Sequence, residues 1–299
     1  MNKNWIAIDW GTSNFRAFLM DENRCTDSVS APCGLMQVHD RQFAAALQTL
    51  IQPWLDQSPQ LPVLMAGMVG SQQGWCEAPY VSLPAGGEQL ARHTAEITTP
   101  WGSPCRIVPG ACCDSTFGLP DVMRGEEVQL IGLAALYPQA DHCVILPGTH
   151  SKHAELHQGK ILRFSTYMTG EIYAVMLGHS LLGRDLPQAV EDDAAFTLGV
   201  QNARLAPCLS NALFSARTLR LNGTLTPAQV PGYLSGLLIG AELLQLPAKE
   251  AWIVGSPTLN GRYHRAAILS GIQLHPADGN DCFIRGMSQI YQKLNGEQL

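Results

Sequence analysis

A short polar stretch near the start of the chain has the residue types that phosphate binding requires. It comprises Asp9, Gly11, Thr12, Ser13 and Asn14. The apolar runs 5–8 and 17–20 flank it, so the sequence predicts a turn between two strands. A glycine turn presents backbone N–H groups and hydroxyls to phosphate without the bulk of larger side chains. The Asp9 carboxylate can hold a hydrated Mg²⁺, because this ion binds phosphates through one or two carboxylates and several waters.

The same pattern recurs once in the second half of the chain. An apolar run at 143–146 leads into Gly148, Thr149 and His150, and Lys152 follows. Taken alone, an Asp-x-Gly-Thr sequence is also typical of ordinary hairpin turns, in which Asp and Thr bind their own backbone. Because the pattern occurs in both halves, the sequence favours a nucleotide held between two such turns. It has no GxxxxGKS/T phosphate loop.

Two adjacent carboxylates, Glu126 and Glu127, follow Arg124 and Gly125 at a predicted helix start. The helix dipole favours carboxylates in the first turn of any helix, which is a purely structural explanation. The functional interpretation is a general base that takes the proton from a substrate hydroxyl as it attacks the γ-phosphorus of a nucleotide. Adjacent helical residues face different directions, so only one of the two is expected to face the substrate. We favour Glu126.

A loop rich in glycine and methionine, 67–75, has no aliphatic stripe of its own. It carries polar and aromatic side chains, namely Ser71, Gln72 and Trp75. One interpretation is a tight loop with a packed tryptophan. The other is a loop that faces a sugar, whose hydroxyls need amide and hydroxyl partners and whose CH face needs an aromatic ring.

Basic residues follow both glycine turns. Arg16 and Lys152 are either exposed to solvent or in contact with phosphate or a substrate carboxylate, which the planar arginine side chain suits. Further along, Gly255 and Ser256 follow a predicted buried strand and are candidate contacts for a purine base.

Strands and helices alternate along the sequence, which is typical of an α/β fold. The first half predicts a hairpin over 5–20, a helix over 40–57 capped by Asp40, a strand over 61–66, loops and short strands over 76–120, and a helix over 124–137. The second half predicts strands near 143–147, 152–157, 161–166 and 252–254, and helices near 171–183, 191–203, 208–220, 226–246, 260–270 and 282–295. A glycine stripe predicts close helix packing at Gly232, Gly236 and Gly240. We divide the chain into an N-terminal domain, 1–140, and a C-terminal domain, 141–299.

The composition indicates a globular enzyme. The 299-residue chain is 46% apolar and 15% charged and has a net charge of −6. This acidic balance argues against nucleic acid as a partner, because nucleic acid selects a basic face. No apolar run reaches the length of about 20 residues that a membrane span needs, and no secretory signal is visible, so we expect no membrane association and a cytoplasmic location. The nine cysteines lack CxxC spacing and are expected to be reduced and mostly buried. The sequence leaves open whether the protein forms a homo-oligomer.

Several motifs in a fixed order resemble those of a known enzyme family. They are DWGTSNFRA at 9–17, MAGMVGS at 65–71, MRGEEVQLIG at 123–132, PGTHSK at 147–152, MTGE at 168–171, HSL at 179–181 and LSGLLIGAE at 234–242. Together they resemble the superfamily of sugar kinases, heat-shock ATPases and actin, and within it the 2-dehydro-3-deoxygalactonokinase family. The resemblance covers nearly the whole chain.

The resemblance implies an actin-like ATPase fold, with MgATP between two ribonuclease-H-like lobes. It implies ATP-dependent phosphorylation of the C6 hydroxyl of 2-dehydro-3-deoxygalactonate, a step of galactonate breakdown. Asp9 would hold Mg²⁺ through water, and the turns 11–13 and 148–150 would grip the β- and γ-phosphates. A carboxylate of the segment 124–127 would be the base, although most sugar kinases of the superfamily have aspartate there. The candidate substrate contacts are Arg16, Ser71, Gln72, Trp75, Arg124 and Glu171.

Two alternatives of the same superfamily stay open at this point. One is a phosphohydrolase, which would release phosphate without a sugar acceptor. The other is a non-catalytic ATP-clamp module, which would tolerate the loss of both Glu126 and Glu127.

Overall fold

The computed structural model of the protein describes residues 4–138, 141–206 and 208–296. The strands are β1 (Asn4–Trp10), β2 (Phe15–Asp21), β3 (Arg24–Ala31), β4 (Val63–Ala66), β5 (Tyr80–Ser82), β6 (Ala95–Thr98), β7 (Pro104–Ile107), β8 (Gly110–Asp114), β9 (Pro120–Met123), β10 (Asp141–Leu146), β11 (Ser151–His157), β12 (Lys160–Tyr167), β13 (Glu250–Gly255) and β14 (Gln273–Asp278). The helices are α1 (Phe43–Gln57), α2 (Gly87–Arg92), α3 (Glu126–Leu136), α4 (Thr169–His179), α5 (Asp193–Ala203), α6 (Leu209–Leu221), α7 (Val230–Leu243), α8 (Pro257–Ser270) and α9 (Gly279–Leu294). None of the helices in these ranges is long and apolar enough to span a bilayer.

A six-stranded sheet with the order β3-β2-β1-β4-β7-β6 positions the first glycine turn. Residues 5–8 of β1 are buried on both faces of the sheet, which explains why they form a continuous apolar run in the sequence. Strand β1 pairs antiparallel with β2 and parallel with β4. These pairings place Arg16 and Ala66 on either side of Asp9, at the carboxyl end of β1.

Helix α3, which begins with the two glutamates, packs on α9 through a pair of glycines. A Cβ on Gly132 would lie 1.7 Å from the carbonyl oxygen of Cys282, and a Cβ on Gly286 would lie 1.9 Å from that of Val128. No side chain fits at these distances, so the two helix backbones are in direct contact. The crossing fixes α3 against α9.

A second sheet has the order β12-β11-β10-β13-β14, in which β10 runs parallel to β13. Beside it, α5 and α7 cross at the predicted glycine stripe. A Cβ on Gly236 would lie 2.0 Å from the carbonyl oxygen of Phe196, and a Cβ on Gly240 would lie 3.0 Å from the Cα of Val200. The predicted close packing is confirmed at these two glycines, whereas a Cβ on Gly232 would have ordinary contacts, the nearest at 3.6 Å.

The predicted capping of the first helix by Asp40 is wrong. Helix α1 begins at Phe43, and Gln42 occupies the N-cap position without a side-chain cap. Asp40 and Arg41 have φ angles of 51° and 56°, in the left-handed region, so the chain turns before the helix starts.

Three elements were not predicted, namely β3, α2 and β14. Strand β3 lies at a sheet edge and most of its residues are exposed, so its sequence lacks the alternation of a half-buried strand. Strand β14 is also an edge strand and contains Pro276. Helix α2 has only six residues, too few for a periodic apolar pattern.

The nine cysteines are free, but the expectation that most are buried is wrong. Only Cys105 and Cys282 are fully buried. Cys112 and Cys113 lie on β8 of a small three-stranded sheet, β5-β8-β9, whose strands are partly exposed.

Residue contacts divide the chain into two compact units. The first comprises Met1–His142, Ala154–Phe164 and Asp278–Leu299, and the second comprises Cys143–His153 and Ser165–Ala277. This division differs from a C-terminal domain of 141–299 in residues 141–142 and in the segments 154–164 and 278–299. The last of these joins the first unit because α9 packs on α2, α3 and β1.

Candidate active site

In the first unit, Asp9 forms an ion pair with Arg16. The two residues are direct partners across β1 and β2, a position that brings side chains within reach. Arg16 also donates to Oδ1 of Asn280 in the first turn of α9. The side chains of Arg16 and Asp9 are 34% and 21% exposed, so the pair borders solvent. Neither sequence interpretation of Arg16 anticipated a carboxylate partner within the chain.

Two glycines allow other loops to approach Asp9 closely. Gly67 has a φ of +97°, and a Cβ there would lie 2.8 Å from the carbonyl oxygen of Trp10 and 3.3 Å from Oδ1 of Asp9. Gly125 has a φ of +108°, and its Cβ would lie 3.3 Å from the Cα of Gly67. Both positions need a backbone conformation that favours glycine. They bring the start of α3 next to the carboxyl end of β1.

The two adjacent glutamates at the start of α3 have opposite environments. The Glu127 side chain is completely buried and accepts hydrogen bonds from the Gly125 N–H at 2.7 and 2.9 Å. Burial, with a smaller contribution from the charge of Glu126, raises the pKa of Glu127 from its ordinary value of 4.5 to about 8. Glu126 accepts from the backbone N–H of Arg124 at 3.1 Å and lines a pocket instead.

This pocket has a volume of about 180 Å³ and collects several of the predicted site residues. Its lining includes Asp9, Gly11, Arg16, Arg124 and Glu126, together with Gly67, Met68, Gly125, Gln129 and Phe283. The pocket therefore combines two carboxylates with two arginines. The other candidates of the first unit, among them Glu127 and Trp75, are not part of this lining.

The Arg124 side chain is buried and held on several sides. Its Nη2 donates to the carbonyl oxygen of Ala78 at 2.8 Å, and its guanidinium lies 4.3 Å from the centre of the Tyr80 ring. A Cβ at Gly70 would come within 3.0 Å of Nη1, so a glycine leaves room for the guanidinium. Nε and Nη1 have no hydrogen-bond partner among the described residues.

The first glycine turn is supported by a segment that the sequence did not single out. The Gly11 N–H donates to the Asn14 carbonyl at 2.9 Å and closes the turn. The N–H groups of residues 34–36 donate to the carbonyls of Ser13, Gly11 and Thr12 at 3.2, 3.0 and 3.2 Å. A Cβ on Gly34 would lie 2.4 Å from backbone atoms of the turn, so only glycine fits there. The side chains of Thr12, Ser13 and Asn14 are exposed.

In the loop 67–75, the tryptophan packs on the core of the first unit. The Trp75 ring is partly buried and stacks on Phe43, with 6.4 Å between the ring centres and 11° between the planes. Gln72 is exposed, and Ser71 Oγ is buried without a partner among the described residues. The contacts of Trp75 match the interpretation as a tight loop with a packed ring.

In the second unit, the second glycine turn is supported by the start of α4. The Glu171 N–H donates to the Thr149 carbonyl at 3.0 Å, and its carboxylate lies 2.5 Å from Nε2 of His150. A Cβ on Gly170 would lie 2.5 Å from the Gly148 carbonyl oxygen, so the turn and the helix are in backbone contact. Lys152 is buried and donates to the His150 carbonyl at 3.4 Å.

The candidate purine contacts lie at the start of α8. The Ser256 hydroxyl caps this helix by accepting from the Leu259 N–H. A Cβ on Gly255 would lie 3.2 Å from Cδ of Pro147, which places these residues beside the segment that precedes the second turn.

Comparisons with known proteins agree on one family. The sequence model of that family, described as 2-keto-3-deoxy-galactonokinase, matches residues 9–290. The chain is 37% identical to the 2-dehydro-3-deoxygalactonokinase of Escherichia coli strain K12, over 97% of this chain and 98% of that protein. It is also similar to a crystal structure from Sinorhizobium meliloti assigned as a 2-dehydro-3-deoxygalactonokinase, with a TM-score of 0.87, 32% identity, and 96% of this chain and 98% of that chain covered.

A more distant likeness concerns the fold alone. The activator of the 2-hydroxyisocaproyl-CoA dehydratase from Clostridium difficile matches with a TM-score of 0.53 and 11% identity, over 98% of this chain and 96% of that one. The fold class predicted from the sequence, an α/β fold of the actin-like ATPase type, is confirmed.

Proposed function

The chain belongs to the 2-keto-3-deoxy-galactonokinase family, and from this premise we propose that it transfers the γ-phosphate of ATP to the C6 hydroxyl of 2-dehydro-3-deoxy-D-galactonate. It is a sugar-acid kinase, a phosphotransferase with an alcohol group as acceptor. The names of its relatives support the substrate, which makes the reaction a step of galactonate breakdown. We also propose that the enzyme works in the cytoplasm, where ATP is supplied.

The observation that carries the catalytic proposal is the difference in burial between two adjacent carboxylates, one partly exposed and the other completely buried. Glu126 lines the same pocket as Asp9, whereas Glu127 is completely buried and has its pKa raised to about 8. Glu126 is therefore the proposed general base, which accepts the proton of the C6 hydroxyl as its oxygen attacks the γ-phosphorus. The backbone N–H of Arg124 and the N-terminus of α3 stabilise its negative charge.

Asp9 is the proposed ligand of Mg²⁺, through water. The residues fit such an ion, because Asp9 offers a partly exposed carboxylate at the pocket and Mg²⁺ usually takes only one or two carboxylates besides phosphates and waters. When bound, Mg²⁺ supplies positive charge that offsets the charge of the phosphates. Arg16, which lies beside Asp9, adds a second positive charge to the same part of the pocket.

The two glycine turns are the proposed phosphate contacts. In the first turn the backbone of Gly11, Thr12 and Ser13 is held by the segment 34–36, with Asn14 closing the turn. In the second turn the contacts come from Gly148, Thr149 and His150, with Lys152 following. Fixed N–H groups and hydroxyls of this kind stabilise the charge of the transferring phosphoryl group without reorganising. Gly255 and Ser256 are the proposed contacts of the purine.

A sugar acid also brings a carboxylate, for which the pocket offers arginines. Arg16 and Arg124 both line it, and a planar guanidinium can bind a carboxylate through two hydrogen bonds. They are our preferred substrate contacts. The remaining candidates stay predictions, namely Ser71, Gln72, Trp75 and Glu171.

The test is to incubate the purified protein with MgATP and a panel of 2-keto-3-deoxy sugar acids and plain sugars, and to follow ADP release. We expect fast release only with 2-dehydro-3-deoxy-D-galactonate, and a product phosphorylated at C6 by NMR. ADP release without any acceptor would instead identify a phosphohydrolase. Tight ATP binding with no release for any acceptor would identify an ATP-clamp module.

A further inference from the structure

A buried carboxylate in the second unit, that of Glu242 on α7, accepts hydrogen bonds from four side chains. Its Oε1 accepts from the Ser151 hydroxyl at 2.7 Å and from Nε2 of His153 at 2.9 Å. Its Oε2 accepts from the Tyr263 hydroxyl at 2.6 Å and from the Thr169 hydroxyl at 2.5 Å. Glu242 is only 3% exposed. A carboxylate offers about four acceptor positions, so these donors fill it.

Three of the four donors belong to two segments that contact the second glycine turn, the strand that follows it and the helix that supports it. Ser151 and His153 lie in the first three residues of β11, directly after the turn. Thr169 is the first residue of α4, the helix whose start touches the turn through Gly170 and Glu171. Glu242 therefore ties together the strand that leaves the turn and the helix that supports it.

We propose that Glu242 positions the second phosphate turn for ATP, which rests on the proposed function of that turn. Its own carboxylate is filled by protein donors, so it acts through Ser151 and Thr169 rather than by touching the nucleotide. A carboxylate accepts from all four donors as they stand, whereas an amide would present an N–H₂ group to two of them, which would have to rotate a hydroxyl or change tautomer to accept from it. Loss of the carboxylate lets the strand and the helix separate, and the turn loses its fixed geometry.

The first experiment compares ATP binding by the wild type and Glu242→Gln, using equilibrium dialysis with MgATP. We expect the Kd for ATP to rise by at least about tenfold, because hydrogen bonds to a buried charged group are lost. The KM for the sugar acid should stay within about twofold of the wild-type value, a limit that corresponds to about 0.4 kcal/mol. Glu250→Gln is the matched control, since Glu250 also pairs with a histidine, at 2.7 Å to His275, but its side chain is 70% exposed and its partner is on β14.

A second pair of variants separates positioning from a purely structural role. Thr169→Val removes the bond to the helix that touches the turn. Tyr263→Phe removes a bond from the middle of α8, together with a longer contact of 3.5 Å from the Tyr263 hydroxyl to the Ser151 hydroxyl, which keeps its shorter bond to Glu242. We expect both variants to lower Tm, but only Thr169→Val to raise the Kd for ATP several-fold. If Glu242→Gln does not fold, this pair of variants still decides whether the Glu242 cluster positions the turn.

A folded Glu242→Gln protein with the wild-type Kd for ATP would overturn the proposal, and so would equal Kd values for Thr169→Val and Tyr263→Phe. The readout is independent of turnover. A wild type that binds ATP but does not phosphorylate the sugar acid would refute the proposed reaction, while the comparison of Kd values would still decide the role of Glu242. A wild type that binds no ATP would refute both.

Discussion

The two glycine turns are supported by different kinds of contact. Around the first turn, backbone N–H groups of residues 34–36 donate to the carbonyls of the turn, and Gly34 packs against it without a side chain. Around the second turn, Gly170 makes the close backbone approach, and the buried carboxylate of Glu242 ties the flanking segments together. One turn thus depends on backbone geometry, and the other also depends on a single charged side chain.

The carboxylates beside the two turns differ in whether a ligand can reach them. Asp9 and Glu126 line a pocket in the first unit, where a ligand can reach them. Glu242 in the second unit is filled by four protein donors. A carboxylate that is open to a pocket can take a proton or hold an ion, whereas a filled one can only position its neighbours. We therefore expect the chemical step to depend on the first unit and the placement of the second turn to depend on Glu242.

The largest expected effect is that of Glu126→Gln. If Glu126 is the general base, the kcat of this variant falls by about 10²–10⁴-fold, because the C6 hydroxyl of the sugar acid loses the group that takes its proton. Glu127→Gln should keep kcat within about threefold of the wild-type value, about 0.65 kcal/mol, because its amide oxygen can still accept from the Gly125 N–H. Steady-state kinetics at saturating ATP and sugar acid measure both. A loss confined to Glu127→Gln would reverse the assignment.

The next effect concerns the ion at the first turn. Asp9→Asn should raise the Mg²⁺ concentration for half-maximal activity by about 10–100-fold, because losing a group that contacts a metal indirectly usually costs this much in affinity. Here the indirect contact is through water. A titration of activity with Mg²⁺ at fixed ATP measures this. Glu242→Gln is the control from the second unit, and its Mg²⁺ dependence at saturating ATP should match that of the wild type. Equal shifts in both variants would remove the distinction between an open and a filled carboxylate.

A smaller effect tests the backbone supports of the two turns. Gly34→Ala and Gly170→Ala each place a Cβ about as close to their turn, 2.4 and 2.5 Å from backbone atoms. Each should destabilise the protein by about 1–3 kcal/mol, the usual cost of overpacking, and raise the Kd for ATP. Gly261→Ala on α8 is the matched control, because a Cβ there meets no atom within 4 Å. Unfolding in urea and dialysis with ATP would measure the two effects. If the Kd for ATP rises in only one of the two variants, the turn altered in the other variant does not bind phosphate.

The local structure of the segments that are continuous in sequence could be predicted, while the functional roles of their residues stay predictions. The turn after β1, its aspartate and the glutamate pair each consist of neighbouring residues whose types indicate their chemistry. Most helices of the second half were also found at close to their predicted bounds. The pairing of Asp9 with Arg16 could have been deduced from the hairpin register, in which the two residues face each other.

The supports of the turns could not be predicted, because they join residues far apart in the sequence. Glu242 and Ser151 are 91 positions apart, and no local pattern indicates that they meet. Gly34 precedes a short 3₁₀ turn and has no neighbours whose types suggest phosphate chemistry. The complete burial of Glu127 beside a partly exposed Glu126 depends on the packing of α3, and two identical neighbouring residues give no sign of this difference.

The effect with the least bearing on catalysis is on the pH dependence of stability, and it contrasts Glu127 with Glu242. Folding raises the pKa of Glu127 from 4.5 to about 8, so between these values the folded protein keeps a proton that the unfolded chain releases. The contribution of this group to stability is therefore complete below pH 4.5 and is lost as the pH rises towards 8. Glu127→Gln removes the loss, and its Tm relative to the wild type should increase steadily from about pH 5 to pH 8. Glu242→Gln instead leaves hydroxyl donors unpaired, which lowers Tm already at the acid end of this range. Thermal unfolding of the three proteins across this pH range measures both trends. Parallel curves of Tm against pH for the wild type and Glu127→Gln would show that Glu127 does not hold its proton in the folded protein.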